Sequence, residues 1–197
     1  MSKKQANTSE KLLEFGVRLM SQEGLSGVTL GRLAQHAGIS KSGVFAHFSS
    51  KADVEIALLD HVAKFSAPRV LDPTFREPPG LPRVHAIVRN WFGWAGRAGL
   101  PGGCPIAAAM FELDDVESPV RDKVVEMEEQ WRGVLETIVS EAVQLGELRA
   151  DLDVEQFVWE LCGIYLSHHV SSRFNRHPKA DERAQVAVNA LLARALP

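Results

Sequence analysis

Thr29-Leu30-Gly31-Arg32-Leu33-Ala34-Gln35-His36-Ala37-Gly38-Ile39-Ser40-Lys41-Ser42-Gly43-Val44-Phe45-Ala46-His47-Phe48 is the stretch that decides the fold. Leu30, Leu33, Ala34 and Ala37 fall at i, i+3, i+4 and i+7, one face of a short helix for which Thr29 is the N-cap. Gly38 tolerates the positive φ that ends a helix sharply. Ser40 can then cap a second helix from Lys41 to Phe48, with Val44 and Phe48 on its inner side. A small residue where two helices touch, a glycine in the turn and an apolar anchor on the second helix meet the packing requirement of a helix-turn-helix. In that motif the second helix offers its polar outer face to the major groove of DNA.

That outer face holds Lys41, Ser42, Phe45 and His47. Lys41 and Ser42 occupy the first turn, the part that reaches base edges in this docking mode, and Gly43 lets the backbone come close. Contacts to the phosphate backbone are expected from flanking groups, the Thr29 hydroxyl with the helix N-terminal amides, His47 and Lys51, and Ser40 at the cap is counted with the DNA-binding residues. The charge distribution agrees. Residues 1–51 carry 7 Lys and Arg against 3 acidic residues, whereas residues 52–197 carry 15 against 22, so a basic head precedes an acidic body.

Working outward, helical periodicity recurs throughout and no run alternates as a strand would, which predicts an all-α fold of about nine helices. A first helix is expected from Asn7 or Thr8, capped by Asn7 with Glu10 and ending at Gly24. Ser50 with Asp53 caps a helix that Pro68 should end. Residues 66–82 hold five prolines and read as a connection. The domains are therefore drawn as a DNA-binding head at 1–51, a connecting helix at 52–67 and a body at 68–197. In the body, Pro82 opens a helix carrying Val84, Ile87, Val88, Trp91, Phe92 and Ala95 that runs to the glycines at 99–103. A short helix spans Pro105 to about Leu113. Ser118-Pro119 starts the longest helix, which stops at Gly146. Asp153 with Gln156 caps a helix apolar on more than one side, and an alanine-rich helix follows Pro178.

The 197 residues, 45% hydrophobic and 24% charged, suit an ordinary folded protein with a sizeable core. No stretch reaches the length of a membrane span and the N-terminus lacks a signal peptide's apolar run, so the expected location is cytoplasmic, with no membrane partner. The two cysteines, Cys104 and Cys162, have no metal-ligand spacing, and no metal or cofactor is expected. The G-x-S-x-G, H-E-x-x-H and dinucleotide fingerprints are all missing, so an enzyme is not expected.

Residues 8–59 resemble the N-terminal domain of the tetracycline-repressor (TetR) family of bacterial transcriptional regulators. The resemblance rests on Thr29-Leu30-x2-Leu33-Ala34-x3-Gly38-Ile39-Ser40-x2-Gly43-Val44-Phe45-x-His47-Phe48-x2-Lys51, with Glu23-Gly24 at the end of the first helix. Phe45 departs from the tyrosine usual in the family, so a hydroxyl contact to phosphate is lost and the ring is left to pack on sugar or a thymine methyl. The resemblance implies a homodimer joined through the last two helices of each subunit. It also implies a ligand pocket among the middle helices, and repression at a palindromic site on double-stranded DNA that is relieved by a small-molecule effector. Residues 100–123 resemble a subset of the same regulators. Trp91, Met110, Phe111, Trp131 and Tyr165 are the expected lining of a cavity for a flat or apolar molecule. The alternative is a constitutive DNA-binding regulator that senses nothing.

Overall fold

Local capping signals set where several of the helices begin. The computed structural model describes the backbone of residues 3–197 and the side chains of residues 8–197. Among these it contains ten helices and no strand: α1 Lys3–Glu23, α2 Leu30–Ala37, α3 Lys41–Phe45, α4 Lys51–Phe75, α5 Leu81–Trp91, α6 Trp94–Arg97, α7 Pro105–Glu112, α8 Pro119–Gln144, α9 Val154–Arg173 and α10 Ala180–Ala195. Thr29 Oγ1 accepts the Arg32 amide at 3.3 Å, Ser40 Oγ that of Gly43 at 3.0 Å, and Asp153 Oδ1 that of Gln156 at 2.9 Å. Each satisfies an amide that the first turn of its helix leaves without a partner. Gly38, at φ +65°, closes α2 as a left-handed cap.

Four boundaries differ from expectation. α1 starts at Lys3, so Asn7 lies within it rather than at its cap, and the Asn7 side chain is outside the described residues. α3 ends at Phe45; His47 donates its amide to the Val44 carbonyl in a tight turn at 2.9 Å, which leaves His47 beyond the helix. The expected helix from Pro82 to the glycines breaks at Trp91, because Gly93 takes φ +69° and α6 restarts as a single turn. Pro68 does not end α4, which runs through both Pro68 and Pro73 to Phe75. A proline inside a helix forfeits one bond and costs about 3 kcal/mol. Burial offsets this: Val70 is 3% exposed and Thr74 is wholly buried, its hydroxyl donating to the Val70 carbonyl at 2.6 Å and accepting from Asn90 Nδ2 at 3.1 Å.

The chain forms two compact units, Met1–Ser66 with Ala95–Glu126, and Ala67–Trp94 with Met127–Pro197. The core of the first unit is built on Leu12, Met20, Leu33, Val44 and Leu58, all 1% exposed or less. In the second unit the corresponding residues are Ile87, Leu135, Ile138, Leu148 and Leu161. Its α5 begins with the Leu81 amide donating to Glu147 Oε2 at 2.6 Å, and Arg83 binds Glu141 through Nη1 at 2.7 Å. No described helix is long and apolar enough to cross a membrane.

Candidate nucleic-acid interface

Burial on one side and exposure on the other give α3 its direction. Val44 is completely buried, while Lys41, Ser42 and Phe45 are exposed, Phe45 at 49%. The anchor side chain therefore fixes which face α3 turns outward. The Ser40 and Ser42 hydroxyls lie 2.8 Å apart, so the exposed start of α3 carries a pair of coupled hydroxyls. The Lys41 stem lies across α2, where a Cβ on Gly31 would come within 3.1 Å of Lys41 Cε. Gly31 is thus part of how Lys41 is placed, and its signal in the sequence is only a glycine one residue into the helix.

Thr29 is exposed at the start of α2, and Lys51 is exposed at the start of α4, where its ammonium pairs with Glu55 at 3.1 Å. His47 is half-buried and tilted against the Phe48 ring at 6.4 Å. Arg32 was not among the expected site residues. It bonds the Glu23 carboxylate at the end of α1, with Nη2 to Oε1 at 2.8 Å, and the Gly27 carbonyl at 3.0 Å, tying α2 to the turn before it. Hydrogen bonding from Arg32 holds the Glu23 carboxyl below the ordinary carboxylate value. All these groups belong to the first unit.

In the second unit an aromatic group forms on α5, α8 and α9. Trp91 and Tyr165 stack at 3.9 Å and 14°, Trp131 meets Trp91 at 4.9 Å and 60°, and Phe92 meets Tyr165 edge-on at 5.4 Å. Three of the five expected cavity residues are therefore neighbours, joined by Phe92. The other two, Met110 and Phe111, belong to α7 in the first unit, and Phe111 is 52% exposed. The buried Trp131 indole N–H meets no acceptor among the described residues. Nearby on α8, desolvation raises the Glu128 carboxyl above its ordinary value despite an ion pair with Arg132 at 2.8 Å. Burial, with Glu128 adding to it, pushes the Cys162 thiol up to about 11. A thiol so poorly ionised is no nucleophile at neutral pH.

α9, the Phe174 that caps its end, and α10 leave apolar side chains uncovered: Trp159 is 63% exposed, Phe174 85% and Val186 63%. Between these helices runs a groove of about 550 Å³ lined by Trp159, Gly163, Ile164, Ser167, Ala184 and Ala187 among others.

Two short capped helices joined by the Gly38 turn, the second anchored by a buried valine and exposed on its other face, form a helix-turn-helix. Two family models match the chain: "Bacterial regulatory proteins, tetR family" over residues 12–58, and "Tetracyclin repressor-like, C-terminal domain" over residues 80–188. The chain belongs to the TetR family of bacterial transcriptional regulators, which are DNA-binding proteins and not enzymes. Among its relatives is the nucleoid occlusion factor SlmA of Vibrio vulnificus (strain YJ016), 28% identical over 134 residues, covering 67% of this chain and 68% of the relative. A crystal structure of a TetR transcriptional regulator from Chloroflexus aurantiacus J-10-FL shares the fold, with TM-score 0.88 over 99% of this chain and 98% of the other at 22% identity. A transcriptional regulator of Saccharomonospora viridis solved with choline aligns with TM-score 0.82 at 16% identity, over 98% and 99% of the two chains.

Proposed function

We propose that the chain is a cytoplasmic repressor that binds a palindromic operator as a homodimer and lets go when a small molecule occupies its body. The observation that carries the DNA half is α3 itself, with Val44 buried behind it and Lys41, Ser42 and Phe45 in front. Lys41 and Ser42 read base edges, Gly43 allows close approach, and Phe45 packs on sugar or a thymine methyl. Thr29, Ser40, His47 and Lys51 hold the phosphates. One such head makes few base contacts, worth about 1–3 kcal/mol each, so nanomolar binding calls for two heads on paired half-sites. The exposed Trp159 on α9, Phe174 at its end and Val186 on α10 support a second copy as the partner that covers that face.

The effector half rests on the group around Trp91, Trp131 and Tyr165. A buried indole N–H without an acceptor is costly, and a ligand oxygen would satisfy it. Quenching of tryptophan emission on titrating a bound compound reads this directly.

The test of the whole reading is selection of random duplex DNA by the purified chain at about 0.15 M salt, with sequencing of the retained pool. A palindrome is the expected result. Retention that falls with salt and favours no sequence would refute the reading.

A further inference from the structure

The turn between α1 and α2 is held from outside the helix-turn-helix. Leu25 and Ser26 follow the glycine that ends α1, and both amides donate to one carboxylate, that of Glu112 at the last position of α7. Leu25 N–H reaches Oε1 at 2.9 Å and Ser26 N–H reaches Oε2 at 3.0 Å. Two charge-assisted bonds from consecutive amides to a single carboxylate fix a turn in orientation as well as position. Gly24, at φ +75°, makes this possible: a Cβ there would lie 1.9 Å from Glu112 Oε1.

A second attachment grips α1 one turn earlier. Ser21, 6% exposed, donates its hydroxyl to the Gly103 carbonyl and accepts the Gly102 amide, each at 3.0 Å. Gly102 sits so close that a Cβ would lie 1.6 Å from the Ser21 carbonyl oxygen. Arg18 reaches the Gly99 carbonyl at 3.4 Å. These contacts bracket α7 at both ends, its leading loop braced on the last turns of α1 and its final residue clamped on the turn beyond. From that turn the path to the DNA-reading helix is short: Arg32 bonds Gly27 and Glu23 and so ties in α2, and the Gly38 turn carries α2 into α3.

We propose that Glu112 is a positioning residue for DNA binding: through the Leu25 and Ser26 amides, and helped by Ser21, it makes α7 the strut that sets the aim of α3. This rests on the reading of α3 as the recognition helix of a dimer on paired half-sites. A residue that touches no DNA but aims the head has a signature that a purely structural residue lacks. Its loss loosens the demand for correct half-site spacing while leaving the count of phosphate contacts unchanged.

The probes are the duplex recovered by selection with the wild-type chain and two versions with one base pair added or removed between half-sites. Each change turns one half-site by about 35° relative to the other. Glu112→Gln keeps the size but leaves one oxygen to accept; Ser21→Ala removes the second attachment and serves if the first variant folds poorly. Glu112→Gln is expected to weaken binding to the selected duplex about tenfold. It should shrink the preference for native spacing by a similar factor, keep the wild-type salt slope and speed hydrogen exchange at Leu25 and Ser26. Wild-type affinity in both variants would overturn the proposal. So would a loss that is equal on all three duplexes with the spacing preference intact, since that is what general destabilisation produces. If the wild-type chain selects no paired half-sites, the reading beneath fails in that first arm, before any variant is measured, and the proposal falls with it.

Discussion

On the proposed reading of the head, Lys51→Ala isolates one phosphate contact. In the free protein the Lys51 ammonium pairs with Glu55 at 3.1 Å while its side chain stays 57% exposed. An exposed i,i+4 pair contributes about 0.3–0.5 kcal/mol to folding, so the variant keeps nearly all its stability. Its effect on DNA binding is larger and depends on salt. Each neutralised phosphate contributes about −0.9 to the slope of log K against log salt. Raising salt fourfold, from about 50 to about 200 mM, therefore weakens the share of one contact about 3.5-fold. The affinity deficit of Lys51→Ala should accordingly shrink by about that factor over this range, on the selected duplex and on a scrambled one alike. Glu55→Gln should act in the opposite direction, because it releases Lys51 from competition. Lys41→Ala should instead relax preference at one base position and leave the scrambled duplex little affected. Fluorescence anisotropy with both duplexes at several salt concentrations measures all of this. A wild-type slope in Lys51→Ala, or equal effects of the Lys41 and Lys51 variants on every sequence, would refute the division between base reading and phosphate anchoring.

Three further outcomes are expected. Desolvation first, with Arg173 and His168 adding to it, holds His169 below the ordinary histidine value of 6.5, and burial does the same to His61. The unfolded chain therefore takes up protons before the folded one does, so stability is complete above about pH 6.5 and falls as the pH drops through it; thermal midpoints across this range should show the loss, and His169→Gln should flatten it. In a Cys104→Ser background, Cys162 should resist Ellman's reagent near pH 8 until denaturant is added, whereas labelling of the native protein within minutes would contradict its burial. Trp159→Glu places a charge on the uncovered face of α9 and should convert a dimer to a monomer in sedimentation velocity without altering the helical spectrum; an unchanged dimer would move the interface elsewhere.

What the sequence made legible follows the range of the interactions involved. Thr29, Ser40 and Asp153 act on amides three residues away, and Gly38 needs only its own backbone freedom, so the spacing alone identified them. Pro68 and Pro73 misled because their penalty is local while the burial of Val70 and Thr74 that outweighs it is tertiary. Gly93 breaks a helix whose apolar stripe continues across the break, and periodicity does not register a single left-handed residue. The Glu112 clamp lies 87 residues from Leu25, and no local rule pairs a carboxylate with amides that far along the chain. For Trp91 the spacing gave only its place on the buried stripe of a helix. Its stacking on Tyr165 joins α5 to α9 and shows only in three dimensions.

In the proposed function α3 reads DNA as one of a pair. Hydroxyl-radical footprinting of the selected duplex, with and without saturating protein, tests it most directly. Two equivalent protected patches related by the palindrome's dyad are expected, both lost in a protein carrying Lys41→Ala and Lys51→Ala together. Protection of a single patch, uniform faint protection along the duplex, or a footprint unchanged by those substitutions would contradict it.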